Sequence, residues 1–177
     1  MKIILGVTGS IAAYKAADLT SQLTKKGFEV VVAMTHGAME FITPLTMQTM
    51  SKNHVYTDVM EELDPNRIEH IDMIKDADAI LIAPATANII GKVANGIADD
   101  MVSTLCLVGH ELPIIMAPAM NTRMYNNPIV IENMDRLRER GVQFIEPRSS
   151  LLACKDEGKG AMEQVDVIVS IVDSLLK

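Results

Sequence analysis

The chain has 177 residues, 49% of them apolar, and carries a net charge of −7. That length and composition fit one domain with a full core, here 1–177, and exclude a disordered segment. The acidic balance argues against non-specific nucleic-acid binding, and the longest apolar runs, such as Ala79 to Ala83 and Pro113 to Ala119, are too short to span a bilayer.

Met1-Lys2 leads directly into a strand-like run without the layout of a signal peptide, so a cytoplasmic location is expected. Two cysteines, Cys106 and Cys154, are too few for a disulfide framework and lack metal-site spacing, so no metal is expected. Six aromatics leave the core to aliphatics and 13 Met, most of which read as adaptable core filler.

Five short runs rich in Val and Ile read as buried strands: Lys2 to Val7, Glu29 to Met34, Ala79 to Ala83, Pro113 to Ala117 and Val142 to Ile145. Helical patterns alternate with them. Ile11 to Lys26 has Ser10 as N-cap and Gly27 as stop. Ala38 to Ser51 follows, with Pro44 as a possible true start. Then come Glu69 to Asp76, Asn88 to Asn95, Asp100 to Gly109, Asn127 to Arg140 and Val165 to Leu176. Asp58 to Ile68 and Pro147 to Gln164 read as loops, and loops of that length are often functional. The alternation predicts an α/β fold: a flavodoxin-like, three-layer, doubly wound parallel sheet of order 2-1-3-4-5.

In such a sheet ligands bind beyond the carboxyl ends of the strands. Topology brings five segments to that edge: Thr8-Gly9-Ser10, Thr35-His36-Gly37, Pro84 to Asn88, Pro118 to Met124 and Pro147 to Gly160. His70, opening the helix before the third strand, faces the same edge, so His70, Asn121 and Cys154 are expected on one rim.

Gly6-x-x-Gly9-x-x-Ala12 follows a strand and opens a helix. Gly9 permits a tight turn, and the amides of Ser10, Ile11 and Ala12 can hold an anion. The same residues also suit a plain turn and cap, and a glycine pattern alone is a weak signal. The second strand ends Ala33-Met34-Thr35, without the acid that binds ribose in dinucleotide sites. Thr35 offers a hydroxyl, which suits a mononucleotide phosphate. In Pro84-Ala85-Thr86-Ala87-Asn88 the small residues let a flat ring approach the backbone, while Thr86 and Asn88 can bond its polar edge; a capped helix start is the alternative.

His70 lies in Ile68-Glu69-His70-Ile71-Asp72, at a helix start where a neutral ring able to accept a proton is favoured. A lone His is more often structural or solvated, and His36 competes for the role. Asn121 follows Pro118-Ala119-Met120, and its amide can donate to a carboxylate while accepting from an amide; a helix cap is the alternative. Cys154 sits in a stretch with two glycines and alternating charge, where a thiol next to Lys155 or Lys159 can act as proton donor or nucleophile. Cys106, inside an apolar helix, reads as buried and inert.

Over nearly the whole chain these segments resemble the flavin-dependent cysteine decarboxylases. The markers are Gly6-Val7-Thr8-Gly9-Ser10-Ile11-Ala12-Ala13, His70-Ile71-Asp72, Pro84-Ala85-Thr86-Ala87-Asn88, Pro118-Ala119-Met120-Asn121-Thr122-Arg123-Met124-Tyr125 and Ala153-Cys154. The resemblance is strongest to members acting on 4′-phosphopantothenoylcysteine in coenzyme A biosynthesis. It implies FMN as cofactor and a small-molecule substrate. The implied sequence is oxidation of the cysteinyl moiety to a thioaldehyde, loss of CO2, and reduction of the resulting enethiol.

By that likeness His70 serves the oxidation and decarboxylation, Asn121 the substrate carboxylate, and Cys154 the final protonation. Met124 and Ala153 join Asn121 in holding substrate. Thr8, Gly9, Ser10, Ile11, Thr35 and Pro84 to Asn88 hold the cofactor. The site lies between subunits of a homotrimer, which can associate further. Two departures stand in the flap, where the family commonly reads Ala-Cys-Gly-Asp and later Gly-Arg-Met: Lys155 and Ala161 occupy the places of that Gly and that Arg. The chain closes on Val165 to Leu176 without the synthetase to which many bacterial members are fused, so a stand-alone decarboxylase is expected. A related enzyme acting on a peptidyl cysteine, a flavin prenyltransferase, and a non-catalytic flavin-binding regulatory subunit are the competing readings; prenyl transfer leaves the Asn121 and Cys154 pair unexplained.

Overall fold

The computed structural model describes residues 1–61, 65–151 and 157–177. In chain order the elements are β1 (Lys2–Val7), a 3-10 turn (Ile11–Tyr14), α1 (Lys15–Lys25), β2 (Glu29–Met34), α2 (His36–Met39) and α3 (Pro44–Ser51). There follow β3 (Val55–Tyr56), α4 (Glu69–Lys75), β4 (Ala79–Ala85), α5 (Ala87–Ala94), α6 (Met101–Val108) and β5 (Ile114–Pro118). The remainder is α7 (Thr122–Tyr125), α8 (Pro128–Glu139), β6 (Gln143–Phe144), β7 (Arg148–Leu151), β8 (Glu157–Ala161) and α9 (Val165–Leu176).

Six parallel strands form one sheet in the order β3-β2-β1-β4-β5-β6. The five expected strands stand in the expected relative order, and the short β3 is added beyond β2. The strands are apolar throughout because helices cover both faces. Ile3, Leu5, Val7, Val30, Val32 and Leu81 pack with Leu19 and Leu23 of α1, Met47 of α3 and Ile168, Val169 and Val172 of α9. Ile4, Val31, Ile80, Ile82 and Met116 pack with Ile89 and Ile90 of α5, Val102 and Leu105 of α6, and Met134 and Leu137 of α8. These two cores make the three layers of a flavodoxin-like α/β fold.

Two local expectations are corrected and one is resolved. The helix expected over Ile11 to Lys26 opens as a 3-10 turn, because Ala13 N–H bonds Ser10 O at 2.9 Å and Ser10 Oγ takes Ala12 N–H at 3.2 Å. The helix expected over Ala38 to Ser51 starts at Pro44, the alternative start the sequence offered, and a separate short α2 precedes it. Pro44 has no N–H and favours extended backbone in the residue before it, so Thr43 becomes an N-cap with ψ 148°. The loop expected over Pro147 to Gln164 contains an antiparallel ribbon, β7 with β8.

One buried hydroxyl ties the sheet together at its carboxyl edge. Thr8, 1% exposed, donates to Pro84 O at 2.7 Å and accepts from Thr86 N–H at 3.2 Å, joining the ends of β1 and β4. Thr8→Val keeps the shape but strands two buried backbone groups. It is expected to cost about 1–3 kcal/mol, read as a lower urea midpoint at unchanged slope.

Candidate active site

A cavity of about 540 Å³ opens at the carboxyl edge of the sheet, within the range of roughly 300–1,000 Å³ usual for small-molecule and cofactor sites. Its lining comes from the segments after four strands: Thr8, Gly9 and Ser10 after β1; Thr35, His36 and Gly37 after β2; Thr86, Ala87 and Asn88 at the end of β4; and Ala119, Met120 and Met124 after β5. Lys92, Asp99 and Asp100 close another side.

The polar side chains here start helices, and capping orients them. Ser10, Thr35, Thr86, Asp100 and Asn121 each accept from a backbone N–H of the helix or turn they open. A hydroxyl that accepts from a cap amide still has its own O–H to donate. Of the loop amides, Ser10 N–H is not open to an anion, since it bonds Thr8 O at 2.8 Å, and Ala12 N–H is taken by Ser10 Oγ. The Ile11 N–H has no partner among the described residues. Gly9 serves a purpose other than a left-handed turn. A Cβ there would stand 3.0 Å from the backbone C and O of Gly37, so the loops after β1 and β2 touch only because residue 9 lacks a side chain.

Lys92 was not singled out in the sequence. Its ammonium bonds Asp99 at 2.6 Å and Asp100 at 2.7 Å. Burial pulls its pKa down, but the two carboxylates outweigh that and hold it above the usual lysine value. The available signal was Lys92 one helix away from the Asp99-Asp100 pair. Lys15, directly after the 3-10 turn, is a second cation that the sequence reading passed over. Burial, and then the charge of Arg148, hold its pKa below the usual value.

Asn121 accepts from Arg123 N–H at 2.7 Å, so the cap alternative holds; it lies in the turn between Met120 and Met124, which line the cavity, and does not itself line it. Ile11, Pro84 and Ala85 support the lining loops without lining the cavity. His36 does line it, but its side chain is 89% exposed and lies 3.9 Å from Glu40, a solvated setting.

His70 lies at the second residue of α4, outside the lining, with Nδ1 buried and without a hydrogen-bond partner among the described residues. Next to it Glu69 is 4% exposed and bonded by the Tyr56 hydroxyl; burial, and then the charge of Glu69, push the Tyr56 phenol up. Cys154 and Ala153 fall outside the described residues. Cys106 is buried, with its thiol pushed up to about 12 by burial, as an inert core thiol should be. No helix among the described residues is long and apolar enough to cross a membrane.

The comparisons agree with this layout. The family model described as Flavoprotein matches residues 1–177. The probable phosphopantothenoylcysteine decarboxylase of Streptococcus mutans is 51% identical over 99% of this chain and 98% of its own length. The coenzyme A biosynthesis bifunctional protein of Bacillus subtilis is 48% identical over 97% of this chain, which spans only 42% of that longer protein. Among solved structures, a cysteine-to-serine mutant of PPC decarboxylase complexed with pantothenoylaminoethenethiol superposes with TM-score 0.84 at 29% identity, covering 98% of this chain and 97% of that one. The FMN binding protein AtHal3 superposes with TM-score 0.82 at 30% identity, covering 98% and 95%. With the cleft, the sheet order and the matching length in agreement, the chain belongs to the Flavoprotein family, in its phosphopantothenoylcysteine decarboxylase group.

Proposed function

We propose that this chain is an FMN-dependent decarboxylase that converts 4′-phosphopantothenoylcysteine to 4′-phosphopantetheine in the cytoplasm, as one domain over 1–177. The observation that carries the reading is the meeting of Ser10, Thr35, Thr86 to Asn88, Met120 and Met124 in one cleft.

The donors present fit FMN. A phosphate needs hydrogen-bond donors, and the Ser10 and Thr35 hydroxyls of the lining offer them, with the Ile11 amide in the adjoining turn. No acid ends β2 to repel it. The small residues Ala87 and Ala119 leave room for a flat ring, and Thr86 and Asn88 present polar groups to its edge. When bound, FMN supplies reversible two-electron redox chemistry at the substrate's cysteinyl carbon and sulfur.

The remaining work falls to the chain. His70 takes up a proton as the cysteinyl moiety is oxidised. Asn121, with its Oδ1 held by Arg123 N–H, binds the substrate carboxylate that leaves as CO2. Cys154 returns a proton when the enethiol is reduced. Met124 and Ala153 bound the substrate. A homotrimer, with further association of trimers, completes the site: His70 lies outside its own chain's cleft, and a neighbouring copy brings a second His70 to it.

The test is incubation of purified protein with 4′-phosphopantothenoylcysteine and mass analysis. A yellow protein and a product lighter by CO2 are expected. A protein that stays colourless after reconstitution with FMN would falsify the cofactor assignment. Activity only on a peptide ending in cysteine would replace the substrate class.

A further inference from the structure

Asp99 and Asp100 stand side by side where the connection from α5 enters α6, and only one of them is needed to start that helix. Asp100 is the N-cap. Its Oδ1 accepts from Ser103 N–H at 2.9 Å, and its own N–H bonds Ser103 Oγ at 3.2 Å. Its Oδ2 takes Lys92 Nζ at 2.7 Å. Asp99 has no part in the cap. Its Oδ1 lies 2.6 Å from Lys92 Nζ, and among the described residues no other one bonds its carboxylate.

Lys92 holds this acid from a protected position. It sits one turn after Asn88 on α5, so the two fall on one helix face, and both line the cavity. Its side chain is 18% exposed, against 60% for Asp99. Its backbone carbonyl accepts Asn95 N–H at 3.1 Å and Ile97 N–H at 2.9 Å, so the connection to α6 folds back on the same residue. The hydrogen bond from Lys92 holds the Asp99 carboxyl below its usual value, which keeps it ionised.

Asp99 is thus a fixed anionic acceptor in the cavity wall, with one oxygen to spare. The hydroxyls of Ser10 and Thr35 suit a phosphate; a carboxylate repels one and takes a hydrogen-bond donor instead. A flavin carries such donors away from its phosphate, on the hydroxyls of the ribityl chain and on the ring N–H.

We propose that Asp99 is a cofactor-binding residue: it accepts a hydrogen bond from an O–H or N–H donor of the flavin remote from the phosphate, and Lys92 holds it in place to do so. The inference rests on the flavin cofactor proposed above.

The experiment titrates apoprotein, unaltered or carrying Asp99→Ala, Asp99→Asn, Lys92→Met, or Asp99→Ala with Lys92→Met. The probes are FMN, riboflavin, which lacks the phosphate, and lumiflavin, which also lacks the ribityl chain. Quenching of flavin fluorescence gives the dissociation constants without turnover. Loss of a hydrogen bond to a charged group should make Asp99→Ala bind FMN on the order of 10-fold more weakly. Riboflavin should weaken by the same factor, because the phosphate is not involved. Asp99→Asn keeps an acceptor oxygen and should lose less. Lys92→Met should weaken riboflavin as Asp99→Ala does, and the double variant should add little to either, since the two residues act through one contact. An equal loss with lumiflavin assigns the donor to the ring; no loss with lumiflavin assigns it to the ribityl hydroxyls. The melting temperature of Asp99→Ala should hardly move, because the Asp100 cap is intact and an exposed ion pair contributes little.

Unchanged constants for all three flavins in Asp99→Ala overturn the proposal. Tighter FMN binding with unchanged riboflavin binding also overturns it, by showing that Asp99 only repels the phosphate. Losses that come only with a lowered melting temperature assign Asp99 to the fold and overturn it too. If the unaltered protein binds none of the flavins, the cofactor reading itself falls and takes this inference with it.

Discussion

His70→Asn is expected to abolish CO2 release while the protein stays yellow. The ring lies outside the cleft lining, so no flavin contact within the same chain is lost. Asn has similar polarity and reach but cannot take up a proton near neutral pH, whereas an imidazole can. A positioned acid–base group contributes about 10²–10⁴ in rate, so turnover should drop into that range or below detection. The rate of CO2 release and the flavin absorbance, measured on one preparation, decide it. A fully active variant removes His70 from the chemistry. A colourless one makes the residue part of the flavin's support instead.

Gly9→Ala should strip the cofactor, and Gly37→Ala should not. The two glycines face each other, yet their demands differ. A Cβ at residue 9 meets the Gly37 carbonyl carbon and oxygen at 3.0 Å, and backbone on both sides has no soft direction in which to move. A Cβ at residue 37 meets Gly9 Cα at 3.5 Å and Gly9 N at 3.9 Å, both ordinary contacts. Overpacking of this kind costs about 1–3 kcal/mol, and if that strain is relieved when the loops part, FMN binds roughly 10–100-fold more weakly. Flavin-to-protein ratio after dialysis reads the difference, with circular dichroism to show that both variants fold. Equal flavin retention in the two would mean that the contact between the loops is not what shapes the cleft.

The strands were legible because a buried parallel strand needs little beyond a run of Val and Ile. Lys2–Val7 and Glu29–Met34 match to the residue. The edge strand Val55–Tyr56 was not, since two residues leave no pattern to read. The ribbon strand Glu157–Ala161 was hidden for a different reason. Its sequence, EGKGA, has no β-branched residue, and it is a strand because its glycines let it lie against Met120 and Thr122.

The site was legible as a set of loops, because sheet topology alone sends them to one edge. What each polar group does there was not. Ser10 was read through its amide, but the turn consumes that amide and leaves the hydroxyl. Thr8 lines the cleft, and its hydroxyl also bonds Pro84 O and Thr86 N–H, a tie that no pattern in the sequence announced. Lys92 with Asp99 and Asp100 went unnoticed because their bond forms only once α5 and α6 are packed.

The hydroxyl of Thr8 also dates the birth of the cleft during synthesis. β1 can pair with β2 once about the first 34 residues have emerged, since Val7 lies beside Met34. Pro84 and Thr86 are made some 76 to 78 residues after Thr8, and contacts of that separation form late because the intervening chain must first be brought together. A nascent chain stopped before β4 therefore holds its glycine turn but has no floor beneath it. Capture of flavin then becomes a chemical record that the central strands have already come together.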